Sequence, residues 1–397
     1  MNGPVGEAAE DPAAAAASPV DAAKGLAPQI RECADQTEQD RHLPASLVTA
    51  LARAGLFRLC VPRAFGGVEA DPDTIVQAIE AVAEADGSAG CCVMIAATSG
   101  LLSAYLPADV ARRIYGTDAV TGGVFAPQGN AVAVDGGYRV NGRWAFASGC
   151  EHCSWLMGGC VVVNDGAPRL LRNGLPDSHL MLFPAAAAQV IDTWTVSGLR
   201  GTGSHDITVT DLFVPETHAV SLITDRPRQP GALYAFPVFG LLALGIAGVA
   251  LGIARSAINE LTDLAAAKTP AGSRKRLAER AVVQMQVGEA EAALRSARAF
   301  LLETIGDAWE TARSRGAISL QQRALLRLAA THATTSAAKV VDLMYNAGGG
   351  TSVYATSPLQ RRFRDIHVVT QHMMVAQPTY ELAGRVLLGI DTDTTML

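Results

Sequence analysis

The sequence predicts an α+β protein with segregated elements: a helical N-terminal part, a β-rich middle and a helical C-terminal part. Three observations predict it. Residues 25–117 space their apolar side chains as helices do. Residues 118–226 carry turn signals between short alternating runs. From 227 to 397 long amphipathic stretches return.

Taken in order, residues 1–24 hold Glu7, Glu10, Asp11 and an alanine run of low hydrophobicity. They are expected to form a disordered tail rather than a secretory signal. In the domain 25–117, Leu47, Val48 and Leu51 make one apolar face after Pro44, and Gly55 closes that helix. Asp71-Pro72 opens another, with Ile75, Ile79 and Val82 on one face. Residues 86–106 are a small-residue apolar run suited to close helix packing.

In the domain 118–226, Asp135-Gly136-Gly137 and Asn141-Gly142 are read as turn signals flanking Tyr138 and Val140. Cys160 to Val163 is a buried strand, and 165–177 is a loop. Ile207, Val209, Asp211 and Phe213 alternate with Thr208, Thr210 and Leu212, and Pro215 ends the run. In the domain 227–397, residues 232–254 are uncharged and imitate a membrane span. Pro237 and several glycines interrupt them, and a polar helix follows at Arg255, so a buried bundle helix is expected. Residues 275–314, 319–346 and 368–388 are the remaining helical stretches.

Composition excludes several classes. Net charge is −6, with no basic stripe interleaved with aromatics, so nucleic acid is not an expected partner. The seven cysteines (33, 60, 91, 92, 150, 153, 160) form no regular framework, which suits free thiols in a reducing cytoplasm. Cys150-Glu-His-Cys153 has the spacing of a zinc half-site without a second half, so no metal is expected. No Gly-x-Gly-x-x-Gly follows a strand, so nothing reads as a pyridine-nucleotide site.

Four landmarks occur in order: Leu56-Phe57-Arg58-Leu59-Cys60-Val61-Pro62 with Phe65-Gly66-Gly67; Gly142 to Gly149; Trp194 with Gly198 to Ser204; and Leu359 to His372 after Gly348-Gly349-Gly350-Thr351. Together they resemble the acyl-CoA dehydrogenase fold, in its two-component flavin-dependent monooxygenase branch (the group D hydroxylases). That branch includes phenol-type hydroxylases, the dibenzothiophene monooxygenase, indole oxygenases and sugar N-oxygenases. The resemblance implies an N-terminal helical domain, a central β-barrel-like domain and a C-terminal four-helix bundle. It also implies a homotetramer.

The implied chemistry rests on one position. The dehydrogenases carry a glutamate that abstracts an α-proton; this chain has His372-Met373-Met374 there. An imidazole with pKa near neutrality suits an acid/base role beside a flavin, with His367 behind it. A serine in the place of Ser148 accepts a hydrogen bond from flavin N5 and protects a C4a-hydroperoxyflavin. Trp144 and the amides around Ala147 are expected along the flavin. Phe125 and Gln128 belong to the loop beside it, and Trp194 walls the ring. Gly349, Gly350 and Thr351 offer bare amides to a phosphate, across a subunit boundary in the family. Arg274, or Arg280, is the phosphate's expected cation. Arg364-Asp365 reads as an ion pair, and His152 and His205 as loop pins.

The implied function is therefore reduced-flavin-dependent hydroxylation of an aromatic or heteroaromatic, indole-like substrate. Dioxygen is co-substrate, and FADH2 or FMNH2 comes from a separate NAD(P)H-dependent flavin reductase. Alternatives are amine or amino-sugar N-oxygenation by the same flavin, or an acyl-CoA-type dehydrogenase with an atypical base such as Glu381.

Overall fold

The computed structural model describes residues 17–116 and 119–397. Residues 1–16 of the expected tail lie outside the described residues. Residues 19–24 are not tail: they open helix α1 (Pro19–Asp40). The physical reason is local. Ser18 caps the helix by accepting the Asp21 N–H at 3.1 Å, and Pro19 sits where a missing N–H costs nothing. Ala23, Ala27, Ile30 and Ala34 then bury one face.

Helix α2 (Ala45–Arg53) ends before Gly55, whose φ of 73° reverses the chain. Helix α3 (Pro72–Ala85) is capped by Asp71, which accepts the Thr74 N–H at 2.8 Å. Helix α4 (Gly87–Ser99) buries nearly its whole surface, and α5 (Ala108–Tyr115) closes the first helical part. The small-residue run of α4 is what lets it enter the core.

The strands are β1 (Thr121–Val134), β2 (Gly137–Trp144), β3 (Trp155–Asn164), β4 (Ala167–Pro168), β5 (Ser178–Pro184), β6 (Gln189–Ile191), β7 (Asp206–Pro215) and β8 (Ala219–Val220). They form one mixed eight-stranded sheet in the order β6-β7-β2-β1-β3-β5-β8, with β4 on β3. Only β1–β3 is parallel; the other pairings are antiparallel.

Two details differ from the sequence reading. Asn141-Gly142 is not a turn but the inside of β2, where the pairing with β7 slips between Val140 and Gly142. Asn141 Oδ1 accepts the Asp211 N–H at 2.9 Å, and Asp211 adopts φ 49°. This bulge flips the phase of β7. Ile207 and Val209 face in before it, Val214 faces in after it, and Phe213 is exposed.

The C-terminal helices are α6 (Val238–Ala267), α7 (Ala281–Arg315), α8 (Leu320–Gly348), α9 (Pro358–Val369) and α10 (Pro378–Leu387). The single stretch expected over 368–388 is broken: α9 stops at Val369, turns occupy 370–377, and Pro378 begins α10. The uncharged segment is α6, packed against α3, α4, α8 and α9. Both segments apolar enough to span a membrane, Gly87–Ala104 and Val238–Ala267, are mostly buried inside the protein.

The sheet has its own core around Trp144, which is fully buried and donates Nε1–H to the Gly159 carbonyl at 2.7 Å. Its indole fills a slot left by three glycines. A Cβ on Gly129, Gly142 or Gly158 would sit 2.4–2.5 Å from the ring. Gly158→Ala is therefore expected to cost about 1–3 kcal/mol by overpacking, read as a lower thermal midpoint. Gly306→Ala, on an exposed turn of α7 with nothing within 4 Å of the added Cβ, should instead raise it, by about 0.5–1 kcal/mol of helix propensity.

Candidate active site

A cavity of about 590 Å³ opens between the turns of the β unit and helices α4, α6 and α9. Each wall has a local cause. β1 loses register with β3 between Val124 and Gly129, around Pro127, which has no N–H to give a ladder. The bulge turns Phe125 and Gln128 toward the cavity. Phe125 meets Phe239 of α6 edge-on, with centroids 6.1 Å apart. Gln128 Oε1 accepts the Ala145 N–H at 3.0 Å, tying this bulge to the end of β2.

Beyond β2 the chain passes through Phe146 at φ 65°, a backbone region that bulky residues rarely occupy. Phe146 is 68% exposed, lines the cavity and meets Trp194 edge-on at 6.0 Å. Two residues on lies Ser148. Its Oγ is 2.7 Å from Ser204 Oγ, and Ser204 Oγ is 2.7 Å from Thr202 Oγ1. Thr202 Oγ1 in turn donates to the Leu199 carbonyl at 2.8 Å. The Cys91 thiol, beside Ser148, is pushed up to about 12, chiefly by burial and then by Asp365, so it keeps its proton at neutral pH.

The turn carrying Leu199 is held from several sides. Leu199 has φ 48°; its N–H donates to Asp365 Oδ1 at 2.6 Å, and its carbonyl accepts Trp194 Nε1–H at 3.0 Å. His205 pins the same loop, its Nδ1 accepting the N–H groups of Thr193 and Trp194, each at 3.2 Å. Arg364 and Asp365 do not pair with each other, contrary to the expected ion pair. Arg364 pairs with Glu38 of α1 at 2.8 Å and donates to the Ser197 carbonyl, while Asp365 serves Leu199. Burial and the nearby Asp86 raise Asp365 to about 7.

His372 lines the cavity, but it follows α9 in a turn rather than standing on a last helix. Its Nδ1 accepts the Met374 N–H at 3.2 Å, which leaves the proton of the neutral ring on Nε2. Burial, with Arg327 behind it, lowers the imidazole to about 4 instead of leaving it near neutrality. Arg327 also donates to the Met396 carbonyl, folding the C-terminal residues against the cavity. His367 does not support His372. It contacts Asp342 of α8 at 2.9 Å and packs on Phe363.

Other expected site residues lie elsewhere. Trp144 is in the sheet core, so it meets no ligand in the cavity. The Ala147 amide is spent on the His205 carbonyl at 3.0 Å. Arg274, Arg280, Gly349, Gly350 and Thr351 do not line the cavity of their own chain. Cys150 and Cys153 donate weakly to the Gly203 and Gly149 carbonyls, and among the described residues no His, Cys, Asp and Glu cluster is arranged to hold a metal. Phe146, Thr202, Ser204 and Cys91 were not singled out from sequence. All but Cys91 lie inside the quoted motifs, which was the available signal. A second groove, over α1, α3, α6 and α7, is lined by ion pairs such as Arg298–Glu80 at 2.9 Å.

The cavity's lining suits a flavin ring. Phe125, Phe146 and Trp194 give aromatic flanks, and the Ser148 hydroxyl and Gln128 amide supply polar contacts in a mostly apolar, uncharged wall. Residues 21–110 match the family described as acyl-CoA dehydrogenase, N-terminal domain, and residues 244–377 the acyl-CoA dehydrogenase, C-terminal domain. The indole-3-acetate monooxygenase of Pseudomonas putida is 37% identical, over 89% of each chain. The oxygenase component of an FADH(2)-dependent resorcinol hydroxylase from Rhizobium sp. is 30% identical, over 92% of this chain and 93% of that one. The crystal structure of 3-HSA hydroxylase from Rhodococcus sp. RHA1 superimposes with a TM-score of 0.88 at 28% identity, covering 96% of this chain and 99% of that one. XiaF from Streptomyces sp., solved with FADH2 and glycerol, gives 0.87 at 25% identity, covering 96% and 97%.

The buried state of His372 makes a pH prediction. The unfolded chain takes up this proton near 6.5, whereas the folded protein refuses it until about 4. Stability attributable to His372 is thus full above 6.5 and falls as pH drops from 6.5 toward 4. His372→Asn should remove part of that loss in denaturant melts across this window. In the wild type, the His372 ring resonance should titrate near 4. A midpoint near 6.5 would show that the ring is solvated.

Proposed function

We propose, for a chain that belongs to the flavin-dependent monooxygenases of the acyl-CoA dehydrogenase fold, that its cavity oxygenates a neutral aromatic or heteroaromatic ring of indole-like shape. The carrying observation is the uncharged wall. Among the described residues no Lys, Arg, Asp or Glu side chain lines the cavity, while Met94, Ile95, Leu242, Ile246 and Met374 do. An unpaired carboxylate or ammonium buried there would lose hydration without compensation. That disfavours amine N-oxygenation. It also distinguishes this cavity from what the name indole-3-acetate monooxygenase implies for its relative, whose substrate is an acid. Glu381, the carboxylate available to a dehydrogenase reading, is exposed on α10 and absent from the wall.

Bound reduced flavin supplies the electrons and activates dioxygen. The chain's own residues do the rest. Ser148 Oγ accepts a hydrogen bond from the ring, Phe125 and Trp194 flank it, and Gln128 bonds its polar edge. The apolar residues of α4 and α6 exclude water, which would otherwise divert activated oxygen to hydrogen peroxide. His372, neutral and protonated on Nε2, donates a hydrogen bond toward the reacting oxygen or to a substrate heteroatom.

Reduced flavin comes from a separate NAD(P)H-dependent reductase, as the term oxygenase component in a relative's name supports. We also propose a homotetramer. Val353 and Tyr354, 69% and 70% exposed, flank Gly349 to Thr351, and Leu387, Leu388 and Ile390 leave a further apolar patch at the end of α10. Assembly would cover these and let Gly349, Gly350, Thr351 and Arg274 reach a flavin phosphate held by a neighbouring subunit. The seven free thiols are in keeping with a cytoplasmic location.

Anaerobic enzyme loaded with chemically reduced FMN or FAD, mixed with oxygen, should show a transient absorbance distinct from oxidised flavin. Ser148→Ala should shorten it roughly tenfold, as expected for one lost hydrogen bond. Indole should be oxygenated with less peroxide release than indole-3-acetate. Immediate return of oxidised flavin in the wild type would overturn the monooxygenase reading, and equal coupling of both substrates would overturn the neutral-ring reading. Light scattering should give the mass of four chains.

A further inference from the structure

The three hydroxyls of Ser148, Ser204 and Thr202 in the cavity wall form a chain with one end fixed. Thr202 and Ser204 are buried, at 1% and 4% exposure. Each hydroxyl owns a single proton. The Leu199 carbonyl can only accept, so Thr202 Oγ1 spends its proton there, at 2.8 Å. Ser204 must then donate to Thr202, at 2.7 Å, and Ser148 must donate to Ser204, at 2.7 Å. All three contacts are hydrogen bonds only in this polarity. Ser148 reaches the cavity with its proton already used and only lone pairs to offer.

The end of the chain cannot turn away. The Leu199 carbonyl also receives Trp194 Nε1–H at 3.0 Å, and its own N–H is held by Asp365 at 2.6 Å. Reversing the chain would leave the Thr202 hydroxyl without its fixed acceptor in a site closed to water.

We infer that Thr202 and Ser204 are positioning residues: they hold Ser148 Oγ as an obligatory acceptor, and so make this cavity select the reduced over the oxidised state of the flavin. The inference rests on the placement of flavin against Ser148 proposed above. Reduced flavin carries a proton on N5 and donates to such an acceptor. Oxidised flavin presents a lone pair at N5, which would face the lone pairs of Ser148. One bond is gained in the first state and a repulsion met in the second. Nothing in the step moves a covalent bond; the selection is in the direction of one hydrogen bond.

The test is anaerobic titration of the full-length protein with FMN and with FAD, each in oxidised and dithionite-reduced form, giving the ratio of the two Kd values. Thr202→Val keeps the shape and removes the hydroxyl, freeing the proton of Ser204 and hence that of Ser148. It should narrow the oxidised-to-reduced ratio by roughly three- to tenfold, the worth of one hydrogen bond. Ser204→Ala, which breaks the chain in its middle, should do the same if Thr202→Val does not fold. Thr202→Ser should keep the wild-type ratio. In Ser148→Ala the ratio should narrow once, and adding Thr202→Val should change it no further, because the chain then has nothing to orient. A ratio unchanged in both chain variants while it narrows in Ser148→Ala would overturn the inference. A Ser148→Ala ratio equal to wild type, or no flavin bound in either state, would instead overturn the placement of flavin on which it rests.

Discussion

The hydrogen bond from the Leu199 N–H to Asp365 Oδ1 is the joint on which the cavity depends. It ties the turn at 197–203 to helix α9, and so the β unit to the helical bundle. The approach is close enough that a Cβ on Gly198 would lie 2.3 Å from the Arg364 carbonyl group. Arg364 extends the same joint to α1 through Glu38. The turn pays for this in a left-handed Leu199 and in a buried Asp365 whose charged form is disfavoured by Asp86 nearby. In return the Leu199 carbonyl is aimed at Thr202 and Trp194, and through them at the wall facing Ser148.

Dryness sets the proton inventory of the site. Burial, first among the causes in each case, raises the Cys91 thiol to about 12 and lowers His372 to about 4. At neutral pH both are uncharged. The wall therefore consists of neutral donors and acceptors in fixed orientation, with no mobile acid to protonate activated oxygen prematurely. A charged side chain in the wall would draw water with it.

Local chemistry made much of this readable in the sequence. Asp71 before Pro72 and Gly55 after Leu51 mark helix ends by capping and by a left-handed turn, and both occur where the pattern places them. Phe125, Gln128, Ser148, Trp194 and His372 all reach the cavity, because their motifs are the segments that line it. The misses share another cause. Trp144 and Ala147 lie in those motifs too, yet strand alternation and a tight turn send them into the core. Phe146, Thr202 and Ser204 depend on the left-handed residues at 146 and 199. No local propensity announces such residues, since neighbouring contacts hold them in place. The break at 370–377 was hidden because apolar spacing continues across it.

That break also bears on how one fold hosts two chemistries. An α-proton base must aim a free lone pair at the substrate. His372 has none to spare. The unwound chain after Val369 turns its Nδ1 onto the Met374 amide, and burial keeps the ring neutral. Nε2 already carries the ring proton and can only give a hydrogen bond, while Nδ1 can take a proton only by first breaking its contact with Met374. A carboxylate in the same place would stand in an apolar wall with Arg327 behind it, already lowered to about 10 by its own burial. The turn after Val369 thus presents a fixed neutral donor at the position where the dehydrogenases carry an ionised base.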